Sequence, residues 1–509
     1  MKGSIESMTP KKKDRLSIFR STSGIEFSSE EVLKALQDNE DGDAALFIKR
    51  FRGVFCFDHS AKRWFKWDGH FWVEDKLDQV TGAVSEIIEI YASEAIRQGN
   101  LNIESRKIQH NETVTQHKNN QDILLKRINS LHSAYRKKNI VNLAKTGAGT
   151  LAITGDDWDI QTMILCCPNG VIDLKTGKRR NGNPKEYIKT IINTEFRGLK
   201  CPAPRWEKYL KEIFDNDYEL INYVQRLVGY AVTGLNIEGV FPIFYGKGRN
   251  GKSTFFNIIK HVLGDISGPV EAEILLNHRF NRTSGAPRSD IMALRRKRIV
   301  WASEVKEGQG FDQAQIKNIT GGDTLTGREV YGKHQIEFKP THTVFLQTNY
   351  KPQATSEDYA FWQRLKLIPF NAHFVDNPEA IDEMEKDSNL LKKLKSESHG
   401  ILAWIIKGCI DYLKNGLGTP ESVKSATNDY CKNEDPLGQF IDDRCELNED
   451  AKIQSGILYK AYLTWCDGNE WEPVNLTKFG KKIKRRFNYT KTNIVTYHGI
   501  KLCKNNGEL

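Results

Sequence analysis

Eight residues, Gly246-Lys-Gly-Arg-Asn-Gly-Lys-Ser253, set the tightest limit on how this chain folds. Before them stands an apolar run, Val240-Phe-Pro-Ile-Phe-Tyr245, of the length of a buried strand. After them Thr254-Phe-Phe-Asn-Ile-Ile-Lys-His-Val-Leu263 repeats apolar residues at helical spacing up to Gly264. Strand, glycine loop and helix in that order aim backbone N–H groups and the positive helix end at one point, which suits phosphate oxygens. The pattern G-x-x-x-x-G-K-S predicts ATP or another nucleoside triphosphate, with Lys252 at the β and γ phosphates and the Ser253 hydroxyl on Mg²⁺. Gly246, Gly248, Asn250, Gly251, Lys252, Ser253 and Thr254 are the expected nucleotide contacts. An α/β fold with a parallel sheet flanked by helices is therefore required around this loop.

Hydrolysis needs a carboxylate at the end of a neighbouring strand. Arg298-Ile-Val-Trp-Ala-Ser-Glu304 supplies one: four apolar residues suit a buried parallel strand, and Glu304 falls at its carboxyl end, where open α/β sheets bind ligands. Glu304 is the first candidate for activating water and assisting the metal; Glu307 is an alternative acting on the metal through water. A third strand, His342-Thr-Val-Phe-Leu-Gln-Thr348, ends in Asn349, whose amide can bridge an attacking water and the γ-phosphate; Pro352 then closes the strand.

With 509 residues the chain exceeds one hydrophobic core, and two to four domains are expected. The divisions read as a basic tail over 1–30, an α+β region over 31–204, a helical bundle over 205–238, the nucleotide domain over 239–430 and a last domain over 435–509. Hydrophobic residues at 39% and charged residues at 28% describe a globular chain, and no run approaches the ~20 apolar residues of a membrane span. A cytoplasmic location, with no membrane partner, is expected. The nine cysteines contain no C-x-x-C pair, which argues against a zinc ribbon or a disulfide framework. A net charge of +10 permits a nucleic-acid partner without requiring one.

In the first 200 residues, Arg63-Trp-Phe-Lys-Trp-Asp-Gly-His-Phe-Trp72 interleaves aromatics that either stack on bases or form a hairpin about Asp68-Gly69 over a small core, the latter favoured. Residues 100–147 read as a solvated helical pair. Leu165 to Lys178 reads as strand, turn and strand, with Asn169-Gly170 and Thr176-Gly177 in turns. At the other end, Asn475 to Phe487 predicts a helix with Leu476, Phe479, Ile483 and Phe487 on one face. Lys481, Lys482, Lys484, Arg485 and Arg486 stand around the rest, and two short strands follow. Helix then basic hairpin outlines a winged helix that binds DNA.

Taken in order, GKGRNGKST, RIVWASE, Ile316 to Asp323 with Gly327-Arg328, FLQTNYKP and Asp358 to Phe370 resemble the superfamily 3 helicases of the AAA+ class. The similarity is to the helicase part of phage, plasmid and poxvirus-type primase-helicases. The resemblance implies a β-hairpin over Arg328–Phe338 with Lys333 and His334 gripping DNA at its tip, and Arg364 as a finger completing a neighbouring subunit's site. It further implies a ring, taken as a homo-hexamer, that moves 3′ to 5′ on single-stranded and forked DNA during replication of a mobile element. Origin duplex DNA and a separate primase or polymerase are further implied partners, and the expected setting is a bacterial host cell. One departure stands out: Ser303-Glu304 replaces the paired acids many members carry. The alternatives are an ATP-dependent origin-binding or helicase-loading protein without processive unwinding, and a metabolic P-loop kinase. The hairpin segment and Arg364 argue against the kinase.

Overall fold

The computed structural model describes residues 25–277, 287–328, 330, 334–469 and 471–503. Two compact units make up the chain: residues 1–161 with 181–190, and 162–180 with 191–509. The segment 162–180, which the sequence groups with the first 204 residues, is thus part of the second unit.

The first unit opens with helices Ser29–Gln37, begun by a capping box between Ser28 and Glu31, and Asn39–Phe51. Strands Phe55–Asp58, Arg63–Trp67 and Trp72–Glu74 form an antiparallel meander, and Ala152–Ile153 adds a parallel edge. Trp67 pairs with Trp72, so the expected hairpin about Asp68-Gly69 is present. Phe65 and Trp72 turn into a small core with Cys56, Ile153 and Trp158, as the core reading expects, whereas Trp64 on the opposite pleat is only half-buried. Helices Ser85–Lys107, Asn111–Leu131 and Ala134–Ala144 follow; the last two are the pair expected over 100–147, which also takes in the end of the first. Asp43, with no exposed surface, binds them together. It receives Tyr91 Oη at 2.7 Å, Arg127 Nη1 at 2.7 Å, and Arg136 Nε and Nη2 at 2.9 and 2.7 Å. A buried carboxylate is tolerated here because two guanidinium groups and a hydroxyl replace its water.

The second unit is built on five parallel strands: β1 (Phe241–Tyr245), β2 (Ser267–Val270), β3 (Ile299–Ser303), β4 (Thr343–Thr348) and β5 (Leu365–Pro369), in the spatial order β5-β1-β4-β3-β2. Successive residues of each strand fall into different cores, as the pleat requires of a sheet covered on both faces. Phe244, Ile299, Trp301, Phe345 and Ile368 join one core with helix α1 (Lys252–Leu263). Phe241, Ile243, Val300, Ala302, Val344 and Leu346 join the other with helix Gln313–Thr320. The expected α/β class and parallel sheet are therefore present. Helices Pro204–Ile213, Tyr218–Thr233 and Ser398–Asn415 extend the first core, where Trp206 packs against Phe255 and Trp404 at 5.5 Å between ring centroids. The three-stranded meander Ile164–Cys167, Gly170–Asp173 and Lys178–Arg180 carries the two expected turns.

The elements between Pro436 and Leu502 fold about their own core. Helices Pro436–Arg444, Ser455–Gly468 and α3 (Leu476–Arg486) pack on an antiparallel sheet of Cys445–Gln454, Val495–Leu502 and Tyr489–Lys491. Phe479 and Ile483 enter that core and Phe487 packs at its margin, but Leu476 does not: it stays half exposed, one turn too early on the helix to meet the sheet. Among the described residues no helix is long and apolar enough to cross a membrane.

Candidate nucleotide site

The parallel register puts the ends of β1, β4 and β3 level. Tyr245 pairs with Thr348, and Gln347 with Ser303, so Gly246, Asn349 and Glu304 follow adjacent strands at one edge. Strands lie about 4.8 Å apart, which holds the three positions within roughly 10 Å of each other.

The loop's glycines are conformational necessities. Gly251 (φ 89°) starts α1, and a Cβ there would meet Ile213 Cγ2 at 2.7 Å. A Cβ on Gly246 would meet Asn250 Nδ2 and the Phe370 carbonyl, each at 2.3 Å. Asn250 is buried and its side chain faces inward, donating to Phe370 O at 3.2 Å and accepting from Lys252 Nζ at 3.0 Å. Lys252 also donates to Gly246 O at 2.7 Å and to Asn349 Oδ1 at 3.0 Å. Three oxygens thus surround the ammonium, yet burial still lowers the Lys252 pKa from 10.5 to about 8.

Ser253 is exposed and accepts from Gln347 Nε2 at 2.8 Å. Glu304 is exposed and holds φ 66°, a left-handed backbone rarely taken by a side chain of this kind. Glu307 is exposed further along the same loop, and Thr254 is half-buried in the first turn of α1. The residues present suit Mg²⁺: a free-standing carboxylate and a hydroxyl near a phosphate loop are hard oxygen donors.

Arg364 lies elsewhere. It ends helix α2 (Tyr359–Arg364), whose cap Asp358 accepts from Phe361 N at 3.1 Å and is held by Lys317 at 2.6 Å. It immediately precedes Leu365, which pairs with Phe241, whereas Pro369 pairs with Tyr245 beside the loop. The five strand residues Leu365–Pro369, about 16 Å, therefore separate Arg364 from its own chain's phosphate loop. Its Nη1 folds back to Ala360 O at 2.8 Å.

The expected hairpin has its arms at Leu325–Gly327 and Ile336–Phe338, paired antiparallel, so the first arm starts before Arg328. His334 is exposed at the base of the second arm; Lys333 lies outside the described residues. In α3, Lys481 is exposed and Lys484 lies 4.6 Å from the Tyr489 ring centroid. Three further cations are engaged. Lys482 Nζ stands 3.0 Å from Glu357 Oε1, Arg485 also pairs with Glu357, and Arg486 Nη2 lies 2.7 Å from Asp435.

Three residues matter here that the motifs do not single out. Gln347 carries a weak signal, a polar residue at the end of an apolar strand. Tyr209, whose hydroxyl donates to Gly251 O at 2.7 Å, and Glu357 carry none, since each meets its partner across a long sequence separation.

Comparison with known proteins bears on the same regions. Residues 44–215 match the family described as D5 N terminal like, and residues 432–502 the family described as Poxvirus D5 protein-like. The resemblance to superfamily 3 primase-helicases holds. Between the two D5-like regions, residues 244–364 match a family of unknown function, DUF5906. The candidate helicase L207/L206 of Acanthamoeba polyphaga mimivirus is 27% identical over 481 residues, 89% of this chain and 48% of that protein. Primase D5 of fowlpox virus is 23% identical over 234 residues, 43% of this chain and 28% of that protein. A candidate helicase of Invertebrate iridescent virus 6 is 25% identical over 365 residues, 65% of this chain and 37% of its own length. The chain spans about half the length of the first of these and less of the others. Among solved structures, the apo C-terminal region of NrS-1 covers 66% of this chain and 92% of its own, with a TM-score of 0.37 and 14% identity.

Proposed function

We propose that the chain is an ATP-driven, ring-forming DNA helicase that translocates on single-stranded DNA during replication of a virus or another mobile element. The observation that carries this is the convergence at one sheet edge of Lys252, Ser253, Asn349 and Glu304, with Arg364 at the opposite end of the sheet. Lys252 and the loop amides would bind the β and γ phosphates, Ser253 and Glu304 would hold Mg²⁺, and Glu304 would orient water. Mg²⁺ neutralises charge between the phosphates when bound. Asn349, bonded to Lys252 in this structure, would report the γ-phosphate by exchanging that partner.

The strand order β5-β1-β4-β3-β2 supports the AAA+ reading, with the phosphate loop on an interior strand, second from the edge. Arg364 is too far to serve its own site, and so fits a finger inserted into a neighbour's. The order of helices and strands over 436–502 supports a winged helix, with Lys481 and Lys484 as its DNA-facing cations, joined by Lys482, Arg485 and Arg486 once released from Glu357 and Asp435, and His334 with Lys333 as the channel grip. The relatives named helicase and primase D5 support the same reading.

Strand separation on a forked substrate tests it. Wild-type protein with ATP and Mg²⁺ should unwind, and Lys252→Ala should not. An assembled wild-type ring that hydrolyses ATP without separating strands would leave an origin binder or loader in its place.

A further inference from the structure

The first unit holds a groove of about 630 Å³, within the range of roughly 300–1,000 Å³ typical of ligand sites. Its floor is aromatic. Phe57 meets Trp64 edge-on at 5.3 Å between centroids and His59 at 4.9 Å. Its rim is cationic: Lys62 on the turn between two strands, and Lys138 and Lys145 along helix Ala134–Ala144 and its end. Lys145 Nζ stands 4.7 Å from the Phe57 ring centroid, and its carbonyl lies 2.7 Å from His59 Nε2. The single acid of the lining, Asp78, already accepts the Thr81 hydroxyl at 3.0 Å. Strand Arg63–Trp67 divides its aromatics by pleat, Phe65 to the small core and Trp64 to the other face, where it packs at the margin of the helical core and lines this groove.

We propose that this groove binds one or two nucleotides of a single strand of DNA, one base lying against Trp64 beside the Lys145–Phe57 pair, with adjacent phosphates on Lys62, Lys138 and Lys145. Aromatic faces beside a positive rim accept any base and track a backbone, as a sequence-independent strand contact requires. A free nucleoside triphosphate fits less well. Such a ligand draws on backbone N–H groups at a helix start, whereas Lys145 caps the carboxyl end of its helix, the end that repels concentrated negative charge. A strand delivers its charge one phosphate at a time to separated lysines. The site adds a DNA contact outside the second unit, and it stands or falls separately from the nucleotide site.

The test uses the full chain without ATP and a dye-labelled twenty-residue oligothymidylate. Lys62→Glu with Lys138→Glu alters two exposed side chains, so folding is preserved. We expect binding at least fivefold weaker in anisotropy and a log K against log salt slope shallower by about 1.4, the share of two phosphates on a single strand. An oligonucleotide carrying 5-iododeoxyuridine should crosslink to the peptide containing Trp64, and lose that crosslink in the double variant. Lys252→Ala should keep it, which separates this proposal from the nucleotide-site reading. Affinity within twofold of wild type, or crosslinks confined to other peptides, would overturn the proposal. Displacement of the Trp64 crosslink by millimolar free dTTP would overturn the strand assignment in favour of a mononucleotide.

Discussion

Lys252 ties protonation to ligand binding. Its folded pKa of about 8 lies below the unfolded value of 10.5, so burial favours the neutral amine, and the apo protein gains stability as pH rises from about 8 toward 10.5. A triphosphate demands the ammonium, so its binding draws in a proton at and above pH 8. Nucleotide affinity should be level below pH 7 and fall about tenfold between pH 7 and 9. Calorimetry in two buffers of different ionisation enthalpy should count roughly half a proton taken up at pH 8; an affinity flat to pH 9.5 contradicts the assignment. Gln347 offers a second residue-scale check. Removing its donor frees the Ser253 hydroxyl, and Gln347→Ala should change the Mg²⁺ dependence of hydrolysis several-fold while leaving the fold intact.

At the scale of elements, two helices of the first unit depend on one carboxylate. Asp43→Ala would leave Arg127 and Arg136 without their buried partner and should cost about 3–5 kcal/mol. A urea titration should show that loss in the first unit's transition, with hydrolysis by the folded protein unchanged. Helix Tyr218–Thr233 depends on its cap in a different way. Gly234 has φ 69°, and a Cβ there would come within 1.3 Å of Arg298 Nη1, which donates to Thr233 O at 2.8 Å. Gly234→Ala should destabilise the second unit by about 2–4 kcal/mol, from backbone strain plus displacement of a buried guanidinium.

These elements also mark what the sequence makes legible. The phosphate loop and the carboxyl ends of three strands follow from local pattern, because period and turn chemistry act over a few residues; the hairpin, expected from family resemblance over Arg328–Phe338, begins earlier, at Leu325. Alternation along Arg63–Trp67 predicts that Trp64 and Phe65 face opposite ways; it does not say which face another helix covers. Asp43 among thirteen helical residues, or Glu357 in a loop, carries no local mark of its partners, since 84 and 128 residues respectively separate each from the arginine it binds.

Across the molecule, the proposed role of Arg364 would make hydrolysis a property of an assembly. Mixing Arg364→Ala subunits, which keep their own phosphate loops, with Lys252→Ala subunits, which keep their arginines, should restore part of the ATPase. No rescue at any ratio argues against a shared site. The segment leading to α2 is in turn clamped from the other side. Glu357 holds Lys482 and Arg485, Glu434 accepts Ala354 N at 2.9 Å, and the Tyr430 hydroxyl donates to Pro352 O. Residues 350–358, running from Asn349 to the helix that carries Arg364, are therefore fastened to the last domain and the helix before it.

That fastening changes how salt should act on DNA binding. Of six cations along α3, Lys482, Arg485 and Arg486 are already neutralised by Glu357 and Asp435, leaving Lys478, Lys481 and Lys484 to displace counterions from a duplex. The helix should contribute a salt exponent near −2.7 rather than the roughly −5.4 that six cations would give. Glu357→Gln with Asp435→Asn should steepen the full chain's dependence on duplex DNA by about 2 to 3. Ionic strength would then gauge whether the last domain rests on the segment before α2 or, as proposed, on nucleic acid.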